Sequence, residues 1–573
     1  MRFLCALCVL SGLLVQAHAI DREAFTFTNY QLDVRVEPEQ QRLAVRGKIR
    51  LRNDSTSPQK NLSLQISSTL DWRSIRLGGN PVQFVSQPYT SDIDHTGALS
   101  EAIVSLPREV PQQGTVELEI GYEGTIPLDV TRLTRIGVPE DKARHTDWDQ
   151  IGKSFTAVRG IGYVAWYPVA TEAANLSDGN SVFATVARWQ AREEQADFKI
   201  KLTHTGEGTP SFVRCNSQSD GVQGYEQTGR AYLTSSECSF WPLERMVPLF
   251  LAGDYEGLNE PPVNISYLAA SKSAAENYAL AAQMVLPLVT EWFGAAKGRS
   301  EARSQVVELS DPQAAAYESG NLLLLPLSND SRLARLTAVH QLTHAAFYSR
   351  RLWIYEGLAH FAQAVYLERE SGRQAALDFM SPHSSAVADA EKTGAQANSS
   401  DESLVNTSTE EFYRSKAMYV WWMLRDMIGE EALKKALAAY RPDADETPSY
   451  MQHLIAAQAK RDLTWFFDDW VYHDRGLPNC RVESVYPRAI SGNAYVVTVT
   501  VENRGDAGAE VPVILKMEHG QLMKRLEVRG KSKTTVRFEA ASSPREIVVN
   551  DGSVPESDVS DNIYKIETPT KSN

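Results

Sequence analysis

Cysteine is scarce, with five residues in a chain of 573. Two of them, Cys5 and Cys8, fall in the first nineteen positions. A chain this long with so few thiols rests on hydrophobic cores, not on a disulfide framework. Blocks of basic residues are also missing. The chain has 58 Lys and Arg against 72 Asp and Glu, a net charge of −14 at pH 7. Nothing gathers the positive residues into a patch, which excludes the charge pattern of a nucleic-acid binder. Acidity at this level serves solubility. After the N-terminal segment no stretch approaches the roughly 20 apolar residues of a membrane-spanning helix, so no transmembrane segment is expected in the mature chain.

That N-terminal segment, residues 1–19, reads as a secretory signal peptide. Arg2 supplies the charge, residues 3–15 the apolar run, and Ala17-His18-Ala19 the small-residue cleavage site. The residue directly after Ala19 is Ile20 and not a cysteine, which argues against a lipid anchor there. The expectation is export to a periplasm or the extracellular space. In that setting Cys215 and Cys238 can pair across the Gly-, Ser- and Gln-rich segment they flank, leaving Cys480 over. The other reading is three reduced, buried thiols.

Length alone implies about three or four domains. Residues 20–255 read as an N-terminal β domain. Tyr30, Leu32, Val34 and Val36 alternate with polar residues, as do Leu43, Val45, Ile49 and Leu51, and again Val116, Leu118, Ile120 and Tyr122. Residues 256–478 change to a mixed helix–strand character, with helices expected over 271–293, 333–348, 356–370 and 412–433. Strands are expected over 306–309 and 315–327, and 381–409, rich in Ser, Ala, Asp and Asn, reads as an irregular insertion. Residues 479–560 return to period-two alternation and predict a β-sandwich. Residues 561–573 read as a disordered tail. The expected fold class is therefore multidomain: an all-β domain, an α/β domain and a C-terminal β-sandwich.

The chemistry concentrates in LTAVHQLTHAAFYSRRLWIYEGLAHFAQAVYLERE, residues 336–370. His340 and His344 stand four apart, so on a helix both imidazoles share a face and can reach one metal ion. A helix, a tight return and a second helix would bring Glu356 back beside them. Two imidazoles and a carboxylate, with the fourth position left to water, make a catalytic zinc site.

HQLTH followed by WIYEGLAHF resembles the HExxH and W-x-x-E-G-x-A stretches of the gluzincin aminopeptidases, the aminopeptidase N family. The resemblance implies a thermolysin-like catalytic domain over 256–478, one zinc per chain on His340, His344 and Glu356, and hydrolysis of N-terminal peptide bonds. It implies that Glu318, at the place of the family's G-A-M-E-N Glu, grips the substrate's ammonium group. It also implies that Tyr413, at the place of the Tyr in Y-x-K-G-A, donates to the oxyanion. An ordinary solvated Glu and a packed aromatic are the alternatives at those two positions. Two departures stand out. The return to Glu356 is shorter than in the family, and the position of the general-base Glu holds Gln341, which can hold a water but cannot take its proton. Three readings follow. The first is a secreted aminopeptidase weakened by Gln341, and the second an inactive member that binds peptides or a protein partner through the same cleft. The third is a β-domain protein with a vestigial site.

Overall fold

A computed structural model describes residues 20–178, 181–207, 212–216, 224–229, 231–244, 246–294, 304–320, 322–396, 403–405, 407, 409–490 and 494–566. The expected signal peptide, and 567–573 of the expected tail, lie outside them. The chain divides into two compact units. One comprises 20–143 and Asp149–Ala252, the other Arg144–Trp148 and the chain from Gly253 onward.

The first unit is built on an eight-stranded sheet whose central strand, Phe25–Glu37, pairs antiparallel with Arg42–Asn53 and parallel with Asp197–Glu207. Tyr30, Leu32, Val34 and Val36 are buried while Gln31, Asp33 and Arg35 face out, the alternation the sequence carries. The unit is not purely β: Ser181–Arg192 is a helix and buries Val182 and Trp189. A disulfide joins Cys215 to Cys238, with Cα atoms 6.2 Å apart. Cys480, in the other unit, is a free and buried thiol.

The second unit begins with a mixed five-stranded sheet ordered Glu256–Glu260, Val263–Tyr267, Ser304–Glu308, Leu322–Leu325 and Tyr317–Ser319. The single strand expected over 315–327 is instead a hairpin, turned at Gly320 with a φ of 62°. This makes Tyr317–Ser319 an edge strand. Helices Lys272–Phe293, Ser331–Ala346, Leu352–Ser371 and Ala417–Ile428 pack beside it through one apolar core that includes Trp292, Trp353, Trp421 and Trp422. The stretch 412–433 is broken: a π-helical turn Glu411–Lys416 leads into Ala417–Ile428, which stops at Gly429.

The expected irregular insertion needs correction. Residues 381–396 complete a helix, Arg373–Gln396. Tertiary contacts hold it. His383 Nδ1 lies 2.8 Å from Ser415 Oγ, and Glu391 pairs with the buried Lys416 ammonium at 2.5 Å. The tail reading is corrected in part as well, because Ile563–Lys565 forms an edge strand against Pro544–Val549. The seven C-terminal strands form two sheets of three and four. Their apolar faces, from Val497 to Ile566, belong to the same continuous core as the helices. Among the described residues no helix is long and apolar enough to cross a membrane.

Candidate metal centre

Two helices and the edge strand assemble the site. Ser331–Ala346 begins where the Asp330 carboxylate accepts hydrogen bonds from the backbone N–H groups of Arg332 and Leu333, at 2.8 and 3.1 Å. This cap satisfies donors a helix start leaves open. The helix ends at Phe347, and residues 347–351 make the return. That return is fixed from outside: Ser349 Oγ meets the Tyr440 hydroxyl at 2.9 Å, and Arg351 pairs with the buried Asp445 at 2.8 Å.

The returning helix Leu352–Ser371 is seated by the flanks of Glu356. Trp353 stacks on Trp421, ring centroids 5.0 Å apart and planes within 9°, and Trp421 Nε1 donates to the Trp353 carbonyl at 3.1 Å. At Gly357 an added Cβ would stand 2.7 Å from the Ala417 Cβ, inside any real contact distance, so only glycine lets the two helices close this far. Aromatic and glycine thus fix the height and rotation of the helix, and Glu356 between them meets the histidines.

Four side chains converge. His340 Nε2 and His344 Nε2 are 3.1 Å apart. Glu356 oxygens lie 3.6 Å from His344 Nε2 and 3.9 Å from His340 Nε2. From the edge strand, Glu318 Oε2 lies 3.0 Å from His340 Nε2 and 3.4 Å from His344 Nε2. The side chains are mostly withdrawn from water, with exposures of 2% for His344, 11% for His340, 12% for Glu356 and 23% for Glu318. All four ligand atoms fall within 4.8 Å of one another, a group that could hold a metal ion. The donor chemistry suits zinc, which takes imidazole nitrogen and carboxylate oxygen.

The electrostatics agree. Burial opposes ionisation of Glu318, yet the facing imidazoles of His340 and His344 outweigh it and hold its carboxyl well below the usual range. Burial likewise opposes a charge on His340, and the two carboxylates overcome it and raise its pKa. The two carboxylates favour positive charge at this point, whether a proton on His340 or a bound cation.

Sequence reasoning did not single out two neighbours. Arg414 donates from Nε to Glu356 Oε2 at 3.2 Å and also pairs with Glu410, so it orients the Glu356 carboxylate. Its only sequence signal is adjacency to Tyr413. His360 lies four residues after Glu356 on the same helical face, a spacing that was readable. Its ring centroid is 4.8 Å from that of His340. Burial, then the charge at His340, pushes its pKa well below the ordinary value.

Gln341 follows His340 but serves the interior. Its Oε1 accepts from the Tyr278 hydroxyl at 2.8 Å, and its Nε2 donates to the Gln305 carbonyl at 3.2 Å. Tyr413 sits on the π-helical turn next to Arg414, whose guanidinium lies 5.8 Å from the centre of its ring.

No protein-family model matches the chain, and no curated protein matches it. Among solved structures the chain is similar to crystal structures of an M1 zinc metallopeptidase from Deinococcus radiodurans. One is a mutant bound to a Tyr-Ser-Ala substrate, at 15% identity over 80% of this chain and 96% of that one, with a TM-score of 0.45. Another is the M1 zinc metallopeptidase itself, at 14% identity over 76% and 91% of the two chains, with a TM-score of 0.43.

Proposed function

We propose that the chain is an exported zinc-centre protein on the gluzincin aminopeptidase plan that binds peptides without cutting them at an appreciable rate. Zinc is held by His340, His344 and Glu356, with Arg414 orienting the carboxylate. When bound, zinc would polarise a peptide carbonyl and acidify a water. The chain's own residues supply no partner for that proton at the expected place.

The observation that carries this reading is the engagement of Gln341. Its amide is hydrogen-bonded at both ends inside the packing, to Tyr278 and to the Gln305 carbonyl. An amide takes up no proton near neutral pH, and this one is also committed as a structural tie. Export is supported by the charge, apolar run and Ala-His-Ala pattern of residues 1–19. It is supported too by the Cys215–Cys238 bond, of a kind that persists in oxidising compartments.

A second reading, a slow aminopeptidase, is favoured by the intact convergence of the two histidines and Glu356. Turnover of unblocked and N-blocked peptides, with metal content measured on the same samples, separates the two. The binding reading expects zinc-loaded protein to leave both peptide sets intact, and Gln341→Glu to stay within about tenfold of it. Such a carboxylate would face the Gln305 carbonyl oxygen and lose the donor that now ties it. The slow-enzyme reading expects unblocked peptides to be cleaved and Gln341→Glu to gain about 10²-fold or more, the scale of a restored general base. That gain would overturn the proposal.

A further inference from the structure

We propose that Glu318 is a fourth protein ligand of the metal, so that the centre is closed by the chain itself. The inference rests on the zinc-centre reading above and changes its meaning. By resemblance Glu318 was expected to grip a substrate ammonium group. Its carboxylate stands against both histidines.

Ligand atoms about 2.0–2.2 Å from one tetrahedral ion stand roughly 3.3–3.6 Å from each other. His340 and His344 are 3.1 Å apart at Nε2, and Glu318 Oε2 is 3.0 and 3.4 Å from them. The corresponding distances from Glu356 are 3.9 and 3.6 Å. The Glu356 distances are made by its two different oxygens, Oε2 and Oε1, whereas the single atom Glu318 Oε2 stands near the tetrahedral spacing from both histidines, so Glu318 is placed at least as well as Glu356 to ligate one ion. Two carboxylates also neutralise a divalent ion in a mostly buried site, where a lone carboxylate would leave a net positive charge. Local structure supports the placement. The hairpin at Gly320 makes Tyr317–Ser319 a short edge strand in register with Leu322–Leu325, with Glu318 opposite Leu323. The carboxylate is thus delivered from a backbone fixed by the sheet.

Four protein ligands leave no position for water, which is the arrangement of a structural zinc site and not of a catalytic one. Hydrolysis would then require Glu318 to leave the metal. The closed centre accounts for a protein that tolerates glutamine at position 341.

Cobalt substitution tests this without reference to activity. The full-length protein is stripped of metal and reloaded with Co(II), and its visible absorption is recorded with and without acetohydroxamate, an oxygen-donor probe that needs an open coordination position. A closed centre gives tetrahedral cobalt bands that do not respond to the probe. Glu318→Ala, and separately Glu318→Gln, opens the position, so the bands shift on adding acetohydroxamate. The zinc dissociation constant, measured against a chelator, rises by at least tenfold, since even groups that merely orient ligands typically contribute 10–100-fold. A probe-responsive spectrum in the unmodified protein overturns the inference on its own, whether or not the variants fold. An unchanged zinc affinity in a folded Glu318 variant does the same. If the unmodified protein takes up neither cobalt nor zinc, the zinc-centre reading fails first, and this inference falls with it.

Discussion

The amide of Gln341 does two things that a carboxylate could not do together: it donates to the Gln305 carbonyl and accepts from the Tyr278 hydroxyl. Both partners sit in the core between the helix Lys272–Phe293 and the strand Ser304–Glu308, and Tyr278 is 2% exposed. Burial pushes the Tyr278 hydroxyl well above its ordinary pKa, so it stays a donor at any working pH. Tyr278→Phe keeps the ring and removes that donor from a buried acceptor. The expected loss is about 1–3 kcal/mol, read as a lower urea midpoint with an unchanged slope. A neutral result would mean that the hydroxyl does not hold the amide. At this scale the sequence was partly legible. The pair His340 and His344 follows from helical spacing, and Glu356 from a return between two helices. The commitment of Gln341 does not, because Tyr278 and Gln305 lie 63 and 36 residues away along the chain.

Elements set the angles at which these residues meet. The return helix is clamped at its far end by Glu291, which pairs with Arg369 at 2.5 Å and with Lys434 at 3.0 Å, linking it to Lys272–Phe293 and to the helix Glu430–Ala439. These partners hold the Glu291 carboxyl down at about 2, Arg369 first and Lys434 second. A depressed acid contributes stability that is present above its unfolded value, near 4.3, and is lost as pH falls toward 2. Glu291 and Arg369 are 40% and 39% exposed, so solvent screening limits the contribution to below about 1 kcal/mol. Glu291→Gln is therefore expected to lower the urea midpoint slightly at pH 7, with the difference from the parent closing as pH falls from about 4.3 to about 2. A difference independent of pH would assign the effect to packing. Element boundaries also show where sequence reading stopped short. The long helices were evident from apolar spacing. Residues 381–396 were not, because Ser and Asp content, with Pro382, suggests a loop, whereas the fold supplies Lys416 and Ser415 as long-range partners that keep the segment helical. The edge hairpin was read as one strand because LLLL gives no alternation. Only the turn at Gly320 divides it, and that turn carries Glu318 to the histidines.

Across the whole molecule, the alternation of strands such as Phe25–Glu37 and Arg42–Asn53 was legible because one face meets a core and the other meets water. The continuity of the second unit was less so. The sequence suggests a boundary near 479, yet a single apolar core runs from the sheet and helices through Val497, Val499 and Val501 of the C-terminal strands. Shared burial of that kind leaves no compositional mark. The disulfide between Cys215 and Cys238 belongs to the first unit, while the chemistry gathers in the second, on a strand, a helix and its return. What gathers there is a group of four side chains that could hold a metal ion, and the proposed function stands or falls on that ion. The most direct measurement is elemental analysis of the full-length protein prepared with zinc supplementation, alongside His344→Ala prepared the same way. The account predicts about one zinc per chain in the parent protein and little in the variant, because His344, whose side chain is only 2% exposed, is one of the proposed ligands. A parent protein free of metal, or a folded variant that retains its zinc, would contradict it.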